Sequence, residues 1–285
     1  MLERIERLFA RCRDEKRAAF IPYICAGDPK FPRTVEIALA LEKAGADLLE
    51  LGVPFSDPLA DGIVNQLAAQ RALEAGATVS GVLKCVREIR RTSEIPVVLY
   101  TYLNPLLGYG LDLFERDATD AGVDGILILD LPPEEEPNIS PENKNEKIVR
   151  PDPLRIRLIA PTTPEKRIAA IAARARGFIY YVSREGVTGA RDSIAESLEQ
   201  NLTIIRQHIR LPIAVGFGIS NPEQAATVAR VADAVVVGSA IVDLIGKIGD
   251  REDLADQVGR FVLPLARAIS SSRAKSRDPG ATALR

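Results

Sequence analysis

The sequence predicts a single (β/α)8 barrel of the α/β class, preceded by an extra N-terminal helix. Eight short apolar, β-branched runs recur along the chain, separated mostly by Ala-rich, charged stretches of helical periodicity. The runs are apolar almost throughout, which is typical of parallel strands buried on both faces. The length of 285 residues also suits such a barrel, which uses about 250. Counting units leaves an open parallel sheet as an alternative.

The elements follow in a regular order. The first 17 residues mix acidic and basic side chains, and their apolar residues fall at helical spacing: Ile5, Leu8, Phe9 and Cys12. They predict an amphipathic helix over the floor of the barrel and not a signal peptide. The predicted strands are 19–25, 46–52, 96–102, 124–130, 154–160, 177–183, 212–216 and 233–238. Related sequences ending in Asp precede three of them, at 44–47, 121–124 and 231–233, and mark repeated β/α units.

Two stretches depart from this alternation. Residues 133–153 are rich in Pro, Asn, Glu and Lys where a helix is expected, and they predict a loop with at most a short helix. Residues 271–285 are polar and predict a disordered tail. The predicted organisation is therefore one barrel domain over 1–270, followed by the tail.

Composition argues against several classes of protein. The net charge of −2 gives no reason to expect nucleic acid or an anionic membrane as partner. No apolar run reaches the roughly 20 residues that span a bilayer. Cys12, Cys25 and Cys85 lack zinc-type spacing and are odd in number, so a reducing cytoplasm fits and no metal is expected. The single histidine, His208, is expected at the surface or a helix end, which argues against a histidine-based triad.

Two carboxyl groups follow the second predicted strand. Glu50 lies at its upper end, and Asp61 closes the Pro- and Gly-rich loop VPFSDPLADG. Barrel active sites lie at the C-terminal ends of the strands, so both groups can face one pocket. Burial could raise the pKa of Glu50 and make it an acid and base near neutral pH, with Asp61 ionised nearby. Equally, Glu50 could be a structural barrel residue, and Asp57 and Asp61 turn formers.

Glycines after the last two strands predict a phosphate site. The seventh strand runs into Gly216-Phe217-Gly218, and Asn221 then caps a helix with Pro222 first and Gln224 as capping-box partner. The eighth ends in Gly238-Ser239 before another helix. Free amides at a helix start bind phosphate, and barrels often place one there. Ordinary turns and caps are the alternative.

A loop and several aromatic residues complete the candidate site. Residues 183–189 (SREGVTG) follow the sixth strand and could close over a ligand or simply connect two elements. Aromatic side chains near strand ends could line a flat pocket or pack in the core: Tyr23, Tyr100, Tyr102, Tyr180, Tyr181 and Phe217.

Together these segments resemble the tryptophan synthase alpha family. The resemblance covers roughly residues 18–245 and is carried by FIPYICAGDP, YYVSREGVTGAR, VGFGISNPEQ and above all AGADLLELGVPFSDPLADG. It implies a lyase that cleaves indole-3-glycerol phosphate by a retro-aldol reaction, giving indole and D-glyceraldehyde 3-phosphate. It implies no metal or organic cofactor in this chain.

The resemblance also implies roles for individual residues. Glu50 matches the general acid/base, and Asp61 matches the carboxylate that binds the indole N–H and stabilises positive charge. The implied phosphate ligands are Gly189, Gly218, Gly238 and Ser239. The implied contacts of the indole and its glycerol chain are Tyr23, Tyr102, Leu127, Tyr180, Thr188 and Phe217.

A partner is implied as well. Members of the family work in a heterotetramer with a beta subunit, which carries pyridoxal phosphate and receives indole through a tunnel to make L-tryptophan. The positions that match the contact surface are Pro54, Asp57, Asn104 and Pro105. Ile63, Asn65 and Glu185 depart from the common family residues. They favour one alternative, a non-catalytic regulatory partner of beta. A second alternative is a stand-alone indole-releasing lyase, which would use the same residues as the alpha subunit.

Overall fold

The computed structural model describes residues 3–135, 153–183, 191–216 and 218–272. Within them, nine strands form one parallel sheet. They are β1 (Ala19–Cys25), β2 (Leu49–Gly52), β3 (Val97–Thr101), β4 (Gly125–Ile128), β5 (Leu154–Arg155), β6 (Arg157–Ile159), β7 (Ile179–Val182), β8 (Ile213–Gly216) and β9 (Ala234–Val237). Their order across the sheet is β5-β4-β3-β2-β1-β9-β8-β7-β6.

The fifth predicted strand closes the sheet into a barrel. It is divided into β5, which pairs with β4, and β6, which pairs with β7. Only Ile156 separates the two in the chain, and its N–H donates to the carbonyl oxygen of Ile126 in β4 at 3.0 Å. The two edges of the sheet therefore belong to one continuous segment. The predicted eight-stranded barrel is confirmed, and the open sheet is excluded.

Helices surround the barrel. They are α1 (Arg4–Asp14), α2 (Phe31–Lys43), α3 (Ile63–Glu74), α4 (Val79–Arg90), α5 (Leu103–Tyr109), α6 (Leu111–Ala121), α7 (Glu165–Ala172), α8 (Arg191–His208), α9 (Pro222–Val231), α10 (Ser239–Ile248) and α11 (Leu254–Ser271). Among the described residues no helix is both long and apolar enough to cross a membrane. His208 ends α8, as predicted, and its Nε2 lies 2.9 Å from Glu165 Oε1.

The extra N-terminal helix α1 covers the floor of the barrel. Its four predicted apolar residues are all buried. The ring of Phe9 packs 5.6 Å from that of Phe178, just before β7. A methyl group on Gly125, the first residue of β4, would lie 3.3 Å from the Ile5 side chain. The lower ends of these strands therefore bury the apolar face of α1.

The three repeated Asp residues join neighbouring strands at this lower end. Each accepts a hydrogen bond from the backbone N–H of the preceding strand: Asp47 from Phe20 at 2.9 Å, Asp124 from Val97 at 2.8 Å and Asp233 from Ile213 at 3.0 Å. Each also meets an arginine: Arg17, Arg90 and Arg206 respectively. The repeat in the sequence thus reflects a carboxylate that satisfies an amide at the start of a strand.

Side chains fill both sides of the barrel wall. Alternate strand residues pack outward against the helices, as Phe20, Leu49 and Val215 do. The others point inward, where Val98 and Leu127 fill the barrel. The eight predicted strands are buried on both faces, which accounts for their continuous apolar sequences.

Two predictions fall largely outside the described residues. Of the predicted loop 133–153, the structure describes only 133–135 and 153. Of the predicted tail 271–285, it describes Ser271, which ends α11, and Ser272. Both stay predictions.

Candidate active site

A cavity of about 500 Å³ lies at the C-terminal ends of the strands. Residues of six strands and two helix starts contribute to its lining. They include Tyr23, Glu50, Asp61, Asn65, Tyr100, Tyr180, Ser183, Gly216, Gly218, Gly238 and Ser239. The two predicted catalytic carboxyl groups and the described glycines of the predicted phosphate site therefore share one cavity.

Glu50 is the buried acid of this cavity. Its side chain projects from the middle of β2 and is only 2 % exposed. Burial raises the pKa of Glu50 to about 8, and the negative charge of Asp61 adds to the effect. A hydrogen bond with the Tyr180 hydroxyl opposes the shift. Glu50 is thus protonated at neutral pH and can give up its proton close to that pH.

Asp61 is held by side chains of the neighbouring strand. The Tyr102 hydroxyl donates to Oδ2 at 2.8 Å, and the Tyr100 hydroxyl donates to Oδ1 at 3.1 Å. The Asn65 amide nitrogen lies 3.5 Å from Oδ1. The Tyr102 hydroxyl in turn accepts the backbone N–H of Ala60 at 2.9 Å. The loop after β2 is therefore fastened to the end of β3, and the carboxylate is oriented at the cavity rim.

The glycine side of the cavity contains a helix start. Gly238 is the N-cap of α10, and Ser239 is its first residue. The positive end of the helix dipole and the free amides of the first turn therefore face an anion placed there. A Cβ on Gly238 would come 3.3 Å from the Tyr23 ring, so glycine keeps the backbone open at this point. The arrangement is suited to a phosphate group.

The cap of α9 differs in one detail from its prediction. The Asn221 side chain accepts the N–H of Gln224 at 2.9 Å, and Pro222 opens the helix, both as predicted. The Gln224 side chain, however, accepts the N–H of Ser220 at 2.9 Å and not that of Asn221. The glutamine therefore fixes the turn that follows Gly218, one residue earlier than a capping box would.

Glycines at the strand ends make room for the tyrosine rings. A Cβ on Gly52 would lie 2.4 Å from the Tyr23 hydroxyl oxygen, and one on Gly216 would lie 2.8 Å from that of Tyr180. Larger residues would push both rings out of place. The sequence alone predicted neither contact, because each depends on the register between neighbouring strands.

Comparisons with known proteins identify the family of this chain. Residues 9–269 match the family model described as Tryptophan synthase alpha chain. The tryptophan synthase alpha chain of Opitutus terrae is 52 % identical over 244 residues, which cover 86 % of this chain and 90 % of that protein. The chain belongs to the tryptophan synthase alpha chain family.

Further relatives extend the match. The tryptophan synthase alpha chain of Geotalea uraniireducens is 46 % identical over 271 residues, 95 % of this chain and 99 % of that protein. The crystal structure of tryptophan synthase subunit alpha from Legionella pneumophila superimposes with a TM-score of 0.84 at 37 % identity, covering 95 % of this chain and 100 % of that chain. As a tryptophan synthase alpha chain, the protein is a lyase of tryptophan biosynthesis.

The structure places the residues predicted for the alpha chain in three groups. Those that line the cavity are Glu50, Asp61, Gly218, Gly238, Ser239, Tyr23 and Tyr180. Tyr102 stands behind Asp61, and Leu127 lies in the barrel core next to Tyr100 in the register of β3 and β4. Thr188, Gly189 and Phe217 lie outside the described residues.

The positions predicted for the partner surface differ in exposure. Asp57 and Asn104 are exposed, Pro105 is half-buried and Pro54 is buried. The loop after β2 and helix α5 also expose apolar side chains: Leu59 is 83 % exposed and Leu107 is 53 % exposed. Exposed apolar groups of this size are typical of protein interfaces.

The sequence missed how Asp61 is supported. Tyr100 was only one of several candidate aromatic residues, and Asn65 stood out only as a departure from the family. The spacing of Tyr100 and Tyr102 could have indicated the shared contact, because residues two apart on a strand face the same side.

Proposed function

We propose that this cavity binds indole-3-glycerol phosphate and cleaves it to indole and D-glyceraldehyde 3-phosphate. The observation that carries the proposal is the buried Glu50, whose pKa is raised to about 8, in one cavity with an oriented Asp61 carboxylate. A proton donor and a fixed negative charge are what a retro-aldol cleavage through a cationic indole needs.

Glu50 carries the proton in both directions. Its carboxylic acid protonates C3 of the indole and forms a cation, while Asp61 accepts the indole N–H and stabilises the positive charge. The Glu50 carboxylate then takes the proton of the adjacent glycerol hydroxyl. The C3–C3′ bond then breaks as that oxygen becomes the aldehyde carbonyl. The electron pair of the broken bond returns to the ring and restores neutral indole. The acid is regenerated, so the proposal needs no metal or organic cofactor in this chain.

The remaining predicted contacts hold the substrate. Gly218, Gly238 and Ser239 offer backbone amides to the phosphate, with the dipole of α10 behind two of them. Tyr23 and Tyr180 form walls for the indole and its chain. Three predicted contacts outside the described residues and one in the core belong to the proposal as well: Gly189, Thr188, Phe217 and Leu127.

The proposed partner is a beta subunit that carries pyridoxal phosphate, in a heterotetramer where indole passes directly between the subunits. The proposed contact residues are Pro54, Asp57, Asn104 and Pro105. The exposed Leu59 and Leu107 support this surface, because partner binding would remove both from water. The proposed location is the cytoplasm, and the three buried free cysteines are compatible with it.

An indole-release assay tests the proposal. The purified chain is given indole-3-glycerol phosphate with and without beta, and Glu50→Gln and Asp61→Asn should each lower kcat by at least about a hundredfold. Glu88→Gln removes an exposed carboxyl group on α4 and is the matched control. Full turnover by Glu50→Gln would contradict the proposal. High turnover without beta would identify a stand-alone lyase, and binding without cleavage a non-catalytic partner.

A further inference from the structure

Two tyrosines of one strand end bind opposite oxygens of Asp61. The hydroxyl oxygen of Tyr100 lies 3.1 Å from Oδ1, and that of Tyr102, two residues later, lies 2.8 Å from Oδ2. A carboxylate can only accept hydrogen bonds, so both hydroxyl groups must donate. Asn65, at 3.5 Å, is at the limit of hydrogen-bonding distance and contributes little. The two tyrosines therefore fix the plane of the carboxylate.

Both tyrosines are themselves held in place. Tyr102 accepts the N–H of Ala60 and packs against the Phe55 ring with centroids 5.3 Å apart. The ring of Tyr100 meets that of Tyr23 edge-on at 5.1 Å. Gly52, the partner of Tyr100 in register on β2, leaves room for that Tyr23 ring, since a Cβ there would lie 2.4 Å from the Tyr23 hydroxyl oxygen. Neither hydroxyl can leave Asp61 without moving a packed ring.

We infer that Tyr100 is a positioning residue for the cleavage, acting with Tyr102 to aim Asp61 at the indole N–H; the inference rests on the proposed function. Each carboxylate oxygen accepts one tyrosine hydrogen bond and keeps a lone pair for the substrate. With Tyr102 alone, the carboxylate would be held at one oxygen and could rotate away from the nitrogen that becomes positive. A hydrogen bond to a charged group is worth about tenfold to a hundredfold in an equilibrium or rate.

Tyr100→Phe tests the inference by removing one oxygen and keeping the ring. We expect kcat to fall about tenfold or more, with KM changed by less than about twofold, because the lost contact acts on the transition state. Tyr109→Phe is the matched control. It removes another tyrosine–aspartate hydrogen bond, 2.7 Å long to Asp117, that lies outside the cavity, and it should leave kcat unchanged. Tyr100→Leu should repeat the loss, which guards against a folding defect specific to one variant.

A double-variant cycle separates positioning from a general structural effect. If Tyr100 acts through Asp61, Tyr100→Phe should lower kcat/KM in the chain with Asp61 and cause no further loss in Asp61→Asn. If Asp61→Asn turns over too slowly for steady-state kinetics, single-turnover cleavage with the enzyme in excess gives the same comparison, because the lost contact acts on the transition state. Losses in kcat/KM that add in the double variant would overturn the inference, and so would a Tyr100→Phe chain as active as the parent. Either result would leave the proposed function standing. A parent chain that cleaves no indole-3-glycerol phosphate would overturn the proposed function instead.

Discussion

Gly216 and Tyr180 lie so close across β7 and β8 that a Cβ on residue 216 would fall 2.8 Å from the tyrosine hydroxyl oxygen. The same hydroxyl forms the hydrogen bond with Glu50. Hydroxyl oxygens and carbon atoms do not approach this closely, so the tyrosine must move if residue 216 gains a side chain. The backbone at the end of β8 thus controls the surroundings of the buried acid.

Gly216→Ala should therefore impair catalysis as well as folding. We expect kcat for indole release to fall about tenfold, and the free energy of unfolding to fall by about 1–3 kcal/mol, the usual cost of overpacking. Gly108→Ala, on α5, is the control because a Cβ there meets no heavy atom within 4 Å. It should keep full activity and, being in a helix, gain up to about 1 kcal/mol. Equal activity in both variants would show that the Tyr180 contact has no catalytic role.

The raised pKa of Glu50 predicts a pH dependence of activity. Glu50 must start as the acid, and with a pKa of about 8 it loses its proton as the pH passes that value. We expect kcat/KM to fall about tenfold per pH unit above this pKa, because kcat/KM reports groups of the free enzyme. The measurement is indole release between about pH 6 and about pH 9.5. A rate that rises through pH 8 would mean that the carboxylate acts first, as a base.

The raised pKa of Glu50 also lowers the stability of the folded chain as the pH rises. Its pKa rises from 4.5 in the unfolded chain to about 8 in the folded one, so between these values the folded state binds more protons. Stability must then fall as the pH rises through this window. At about 1.4 kcal/mol per pH unit, the cost reaches at most about 5 kcal/mol at pH 8 and above.

Glu50→Gln should remove this cost. The amide is neutral at every pH, so the variant should be more stable than the parent chain at pH 8 and lose this advantage as the pH falls toward 4.5. Urea unfolding at several pH values measures the difference. For Glu88→Gln, at an exposed position, the difference in free energy of unfolding from the parent chain should not grow as the pH rises. A constant difference for Glu50→Gln would contradict the raised pKa.

Sequence periodicity was enough to predict the barrel, because the positions of its strands and helices follow from local patterns of apolar residues. All eight strands were located, since each is apolar on both faces, and α1 followed from the spacing of its buried residues. The division of the fifth strand at Ile156 was not predicted, because it depends on how the two sheet edges meet. Local pattern carries no information about that closure.

The site was predicted in part, for a different reason. Glu50, Asp61 and the glycine loops could be placed because barrels bring all strand ends to one face. The contacts between them depend on register and side-chain direction, which a single sequence does not contain. Tyr100 is an example, because its hydroxyl meets Asp61 only once β3 is set beside β2 with Gly52 as its neighbour. Leu127 shows the converse, since the same register places it in the core.

An ion pair with a buried carboxylate joins the end of β1 to two of the helices around the barrel. Arg71 on α3 donates to both oxygens of Asp28, just after β1, at 2.9 and 2.8 Å. Asp28 is 2 % exposed, and burial raises its pKa although Arg71 pulls it down. The guanidinium also lies against Gly246 of α10, where a Cβ would be 2.9 Å from Nη2. One arginine thus connects β1, the helix after Asp61 and the helix that begins at Ser239.

Arg71→Met should destabilise the fold by about 2–3 kcal/mol, because it leaves the Asp28 carboxyl buried without its partner. We place the cost just below that of breaking a fully buried pair, about 3–5 kcal/mol, since the Arg71 side chain is 34 % exposed and water can reach the site. Adding Asp28→Asn should recover part of the loss, because a neutral amide is cheaper to bury than a carboxylate. Urea unfolding measures all three chains. Arg251→Met breaks an exposed pair with Asp253 and should leave the midpoint unchanged, so a similar loss there would contradict the special role of the buried pair.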